Sequence, residues 1–146
     1  MGVRVVRLRT GIVLGPGGGA LQKMLLPFRL GLGGPIAGGH HWMSWIHLDD
    51  LAALAAFMLK ESTVRGAFNA TSPHPVTNAE FTEALAAALH RPGFLPVPGF
   101  ALKLLYGKMA EAVLASQRVL PEATLRAGFT FQYPDVFGTL TQILTG

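Results

Sequence analysis

The side chains best equipped for chemistry gather in one short stretch: His40, His41 and His47, followed by Asp49 and Asp50. Imidazoles and carboxylates together can ligate a metal ion, and a histidine titrating near neutrality can move a proton. The spacing disfavours both uses. Six residues separate His41 from His47, which does not bring the two rings together on a short strand, and the chain has no Cys to complete a ligand set. No metal is expected. His47 fits better as a hydrogen-bonding residue at a strand end than as an acid or base. Consecutive carboxylates point in different directions, so Asp49 or Asp50 is expected to cap a helix.

Three other groups could meet a ligand. Gly15, Gly17, Gly18 and Gly19 permit close backbone approach to an anion, yet the stretch lacks both the Gly-x-x-x-x-Gly-Lys-Ser/Thr order and the complete Gly-x-Gly-x-x-Gly fingerprint. A structural turn is favoured over a ligand-lining loop. Trp42 and Trp45 can pack in a core or interface, or form the wall of an aromatic ligand site. Arg9 sits just past a strand, where burial requires an acceptor; a structural salt bridge is favoured over a cofactor phosphate contact.

These residues need elements to position them. Val3 to Leu8 reads as a buried strand, with Val3, Val5, Val6 and Leu8 as its apolar core. Leu21, Leu25, Phe28 and Leu32 recur at helical intervals around a disruptive Pro27, and Trp42 to His47 reads as one extended segment. Leu51, Leu54, Ala55, Met58 and Leu59 mark a helix, and Gly66 to Ala70 a strand. Thr77 and Glu80 predict a capping box for a helix with Phe81, Ala84, Leu85, Ala88 and Leu89 on one face. A third helical region runs from Phe100 to about Ser116, Pro121 begins a short helix, and Pro134 precedes the last one, with Val136, Leu140, Ile143 and Leu144 inward. The order predicts α/β architecture, with a strand and substrate-loop region over 1–92 and a helical region over 93–146.

The 146 residues suffice for an independent core. Half are apolar and 14% charged, against roughly 25% charged in ordinary globular chains. Some apolar surface is therefore expected to be covered by further chain or a partner. Basic residues outnumber acids 12 to 8 but are dispersed, which argues against nucleic-acid binding. Without Cys there is no disulfide framework, and apolar runs are interrupted before the roughly 20 residues that span a bilayer. The expectation is a cytoplasmic protein with no membrane partner.

Leu8-Arg9-Thr10-Gly11-Ile12-Val13-Leu14-Gly15-Pro16 and Trp45-Ile46-His47-Leu48-Asp49-Asp50-Leu51 resemble the second half of an extended short-chain dehydrogenase/reductase of the NAD-dependent epimerase/dehydratase type. More narrowly, Asn69-Ala70-Thr71-Ser72-Pro73, Pro75-Val76-Thr77-Asn78-Ala79-Glu80-Phe81, Leu95-Pro96-Val97-Pro98 and Gln117-Arg118-Val119-Leu120-Pro121 resemble a branch sometimes labelled cell-division inhibitors. The resemblance implies the C-terminal part of a Rossmann-like fold with a mostly helical substrate-side region. It also implies an N-terminal half outside this chain that binds NAD or NADP and carries a catalytic Tyr and Lys separated by three residues. Neither Tyr106 nor Tyr133 has that Lys, so no catalytic residue is assigned here.

By the same resemblance, Thr10, Gly11 and Ile12 border the cofactor, while Trp42, Met43 and Trp45 form the substrate side. Ile12 stands where the family commonly has a sugar-contacting Asn, and Met43 where a phosphate-binding Arg is frequent; both weaken a sugar-nucleotide assignment. The implied activity is oxidation/reduction or epimerisation of a small polar or nucleotide-linked substrate, with this chain inactive alone and a homodimer as an accompanying expectation. The alternative is a noncatalytic regulatory or partner-binding protein on the same fold.

Overall fold

The computed structural model describes residues 2–108, 111 and 114–145. In chain order its elements are β1 (Val6–Thr10), β2 (Ile12–Leu14), α1 (Gly19–Arg29), β3 (Trp42–Met43), β4 (Trp45–His47), α2 (Leu48–Lys60), β5 (Gly66–Ala70), β6 (Val76–Thr77), α3 (Asn78–Leu89), α4 (Gly99–Tyr106), α5 (Glu122–Arg126) and α6 (Val136–Thr145). Residues 109, 110, 112 and 113, within the expected third helical region, lie outside the described residues.

Two parallel pairs form the centre: β1 with β5, and β2 with β4. Parallel neighbours require crossovers, and helices supply them: α1 lies between β2 and β4, and α2 between β4 and β5. An antiparallel pair, β3 with β6, completes the strands. This is the expected α/β arrangement followed by helices.

The β2–β4 pair is covered on both faces because successive side chains alternate. Trp45 joins one cluster with Leu14, Leu21, Phe28, Phe81, Leu85 and Leu140, while Ile46 joins another with Leu54, Met58, Phe68, Phe129 and Phe131. Helix α3 forms as its sequence dictates: the Thr77 hydroxyl accepts from the Glu80 amide at 3.3 Å, and the Glu80 carboxylate accepts from the Thr77 amide at 2.7 Å. Phe81, Ala84, Leu85 and Ala88 are its buried face.

Several expectations need correction. The first strand begins at Val6, and Val3 and Val5 are 87% and 60% exposed. Among the described strands β1 pairs with β5, and its other edge is left open. Trp42 to His47 is two strands, broken at Ser44, whose carbonyl accepts from Ile12 N at 2.9 Å. Leu32 lies beyond α1, which accommodates Pro27 within it, and Leu32 and Leu59 are 58% and 79% exposed. Finally, α2 is capped by His47 rather than by Asp49 or Asp50.

Candidate functional site

Splitting the first strand run at Gly11 leaves an opening at the ends of β1 and β5. There, a cleft of about 760 Å³ is lined by Arg9, Thr10, Gly11, Ile12, Trp42, Met43, Ser44, Asn69, Thr71, Ala115, Gln117 and Val119. Five of the six expected site residues thus share one cavity. Trp45 does not join them. It is fully buried, and its indole N–H donates to the His74 carbonyl at 3.0 Å. Pairing of Trp45 with Ile12 in the two-sided β2–β4 layer commits the ring to the core.

The near wall is backbone. Gly11 N donates to Ala70 O at 3.2 Å, and a Cβ on Gly11 would lie 2.6 Å from Ser44 O and 3.0 Å from Thr71 Cγ2. The absence of a side chain is what lets the three segments meet. The far wall is the segment from Ser116 to Leu120, tied down along its length. Ser44 Oγ donates to Gln117 O at 2.8 Å and accepts from Val119 N at 2.9 Å. Ser116 Oγ accepts from Trp42 N at 3.0 Å, and Asn69 Nδ2 donates to Leu120 O at 3.1 Å. Arg118 places its guanidinium carbon 5.2 Å from the Trp42 ring centroid, within cation–π range. Arg9 makes no salt bridge among the described residues and lies in the cleft lining.

The histidines and aspartates serve elsewhere. His47 Nδ1 accepts from Asp49 N at 2.9 Å, so its Nε2 carries the proton and donates to Gln142 Oε1 at 2.9 Å. Its ring stacks on Tyr133 with centroids 3.9 Å apart. Asp50, 1% exposed, accepts from the amides of Gln132 and Tyr133, both at 2.9 Å. Both residues anchor the C-terminal segment to α2. Burial holds His41 below the ordinary histidine pKa, and its Nε2 has no hydrogen-bond partner among the described residues. Among the described residues, no three His, Asp or Glu groups converge as a metal site.

Known proteins resemble the chain over nearly its full length. Residues 97–143 match a family described as a domain of unknown function, DUF1731. The epimerase family protein SDR39U1 of Mus musculus is 44% identical over 142 residues, covering 97% of this chain and 48% of the relative. The crystal structure of human epimerase family protein SDR39U1 (isoform 2) with NADPH superposes with a TM-score of 0.91 at 42% identity, covering 98% of this chain and 49% of that one. The chain matches the C-terminal half of SDR39U1-like epimerase family proteins. It spans about half the length of the curated relatives it matches, and corresponds to their C-terminal part. A nucleoside-diphosphate sugar epimerase from Corynebacterium glutamicum matches with a TM-score of 0.70 at 31% identity, over 97% of this chain and 26% of that one.

The sequence motifs include Asn69, Thr71 and Gln117 without giving them a role; the fold brings all three to the cleft. Ser44 had no local signal. Its importance comes from contacts more than seventy positions away, with Gln117 and Val119. Among the described residues no helix is long and apolar enough to cross a membrane.

Proposed function

We propose that this chain is the substrate-side half of an NAD(P)-dependent epimerase or oxidoreductase acting on a small polar or nucleotide-linked molecule, with the dinucleotide-binding half lying outside it. The observation carrying this reading is the meeting of Thr10, Gly11 and Ile12 with Trp42 and Met43 in one cleft, although the two segments are distant in sequence. NADPH in the human relative supports a nicotinamide dinucleotide as the cofactor of the whole protein. The wall suits such a ligand: Gly11 keeps the backbone side-chain-free, and no carboxylate among the lining residues would repel phosphate. A bound dinucleotide would supply the hydride chemistry.

The residues of this chain then bind and orient. Thr10, Gly11 and Ile12 border the cofactor, Trp42 and Met43 the substrate, and Ser44 holds the far wall. Among the described residues no His, Asp, Glu, Lys or Tyr lines the cleft, and none of them presents an ordinary proton-transfer group there. Acid–base groups belong to the other half in this reading, and the chain alone is inactive.

The test is titration of the complete protein with NADPH and with candidate substrates, before and after Trp42→Ala. The expected result is weakened substrate binding with dinucleotide affinity retained in a folded variant. Cofactor-dependent turnover by this chain alone, or equal loss of both affinities with folding intact, would overturn the assignment.

A further inference from the structure

We infer that Arg118, held over Trp42 at the edge of the cleft, recognises an acidic group of the substrate, a phosphate or carboxylate, whose planar or apolar body lies against the cleft wall. The inference rests on the cleft being the substrate site proposed above. Arg118 is exposed, and among the described residues its only assigned partner is the Trp42 ring, 5.2 Å from the guanidinium carbon. Packing over an aromatic face restrains the side chain while leaving its N–H donors able to bind a carboxylate or phosphate, often bidentately.

Its backbone is fixed as well. The residues on either side are pinned by one hydroxyl, Ser44 Oγ, at 2.8 Å to Gln117 O and 2.9 Å to Val119 N. A cation held this way requires little further ordering when it meets an anion. The surrounding charge has the right sign. Arg9 lines the cleft, and among the described residues no Asp or Glu does. Asn69, the cross-strand partner of Arg9, is bonded to Leu120, two residues from Arg118. Arg118 is not itself in the cleft lining, but it lies over the lining residue Trp42 and between the lining residues Gln117 and Val119, at the rim of the opening that Arg9 lines.

The test uses the complete protein and three probes: phenyl phosphate, benzoate and neutral phenol. Of the two tryptophans in this chain Trp45 is fully buried, so the part of the ligand-induced quenching that disappears in Trp42→Phe reports Trp42. Saturable quenching by phenyl phosphate or benzoate, but not by phenol, is expected; the stronger acid identifies phosphate or carboxylate. Arg118→Gln should weaken the preferred acid at least about tenfold, Arg118→Lys less, and NADPH affinity should stay within about twofold for both. Phenol binding as well as either acid, no binding of either acid, or Arg118→Gln binding the acid unchanged would overturn the inference. If NADPH fails to bind the parent protein while acid binding still depends on Arg118, the cofactor reading fails and this one stands.

Discussion

Two regions of the molecule behave in opposite ways. At the entrance of α2, His47, Asp50, Tyr133 and Gln142 are the residues a chemist would choose first, yet each is committed to a bond or a stacked ring within the protein. At the cleft, the described lining is of small, apolar and neutral polar residues with Trp42 and Arg9, and it is open to a ligand. The contrast separates anchoring from binding. A titratable side chain whose partners are backbone amides and a neighbouring carbonyl is part of the scaffold; a site is where surface and charge remain uncommitted.

Removing an anchor should damage the fold more than any change at the cleft. Asp50→Ala leaves the Gln132 and Tyr133 amides without their buried acceptor. Hydrogen bonds to a charged group contribute roughly 1.5–3 kcal/mol each, so a loss of about 3–6 kcal/mol is expected in urea unfolding. A loss below about 1 kcal/mol would show that the α2 entrance is not the anchor described.

Gly11→Ala should act at the cleft instead. The new methyl would meet the Ser44 carbonyl at 2.6 Å, a backbone atom that cannot rotate away. Overpacking of this kind costs about 1–3 kcal/mol, and the wall must shift, so dinucleotide affinity of the complete protein should fall more than stability alone explains. Gly18→Ala is the control, because a Cβ there meets nothing within 4 Å. Equal effects from the two substitutions would break the distinction between a required close approach and a tolerant turn.

How much of this contrast the sequence disclosed depended on whether the signal was local. The capping box of α3 is legible because Thr77 and Glu80 bond to one another's backbones. The meeting of Thr10–Ile12 with Trp42–Met43 was legible through the family resemblance alone, since neither segment has a spacing that requires the other. Trp45 was placed on the substrate side because aromatic residues serve cores and ligand walls equally well; only the two-sided burial of the β2–β4 pair decides between them. Asp50 read as a helix cap because it stands at a helix entrance, whereas its partners lie more than eighty positions later. Ser44 was silent for the same reason.

Ser44→Ala sharpens the comparison from the cleft side. It deletes one bond to Gln117 O and one from Val119 N. At about 1 kcal/mol net per bond, the expected loss is roughly 1–2 kcal/mol. The more direct readout is amide exchange at Val119, which should accelerate while exchange at Gln132 and Tyr133, held by Asp50, stays as it was. Unchanged protection at Val119 would mean that the far wall is held by its other contacts.

The smallest effect belongs to the one histidine left between the two regions. His41 precedes Trp42, is partly buried, and has an Nε2 without a partner among the described residues; desolvation lowers its pKa from 6.5. Because the folded state binds the proton less readily than the unfolded state, lowering the pH favours unfolding. Above pH 6.5 the ring is neutral in both states and carries no penalty. Stability should begin to fall as the pH drops through 6.5 and stop falling from this cause below the depressed folded value. His41→Gln removes the titration, so its melting temperature should vary less than that of the parent between about pH 7 and 5, while other groups contribute equally to both. Identical pH profiles for parent and variant would show that His41 is hydrated in solution and that its burial does not govern its charge.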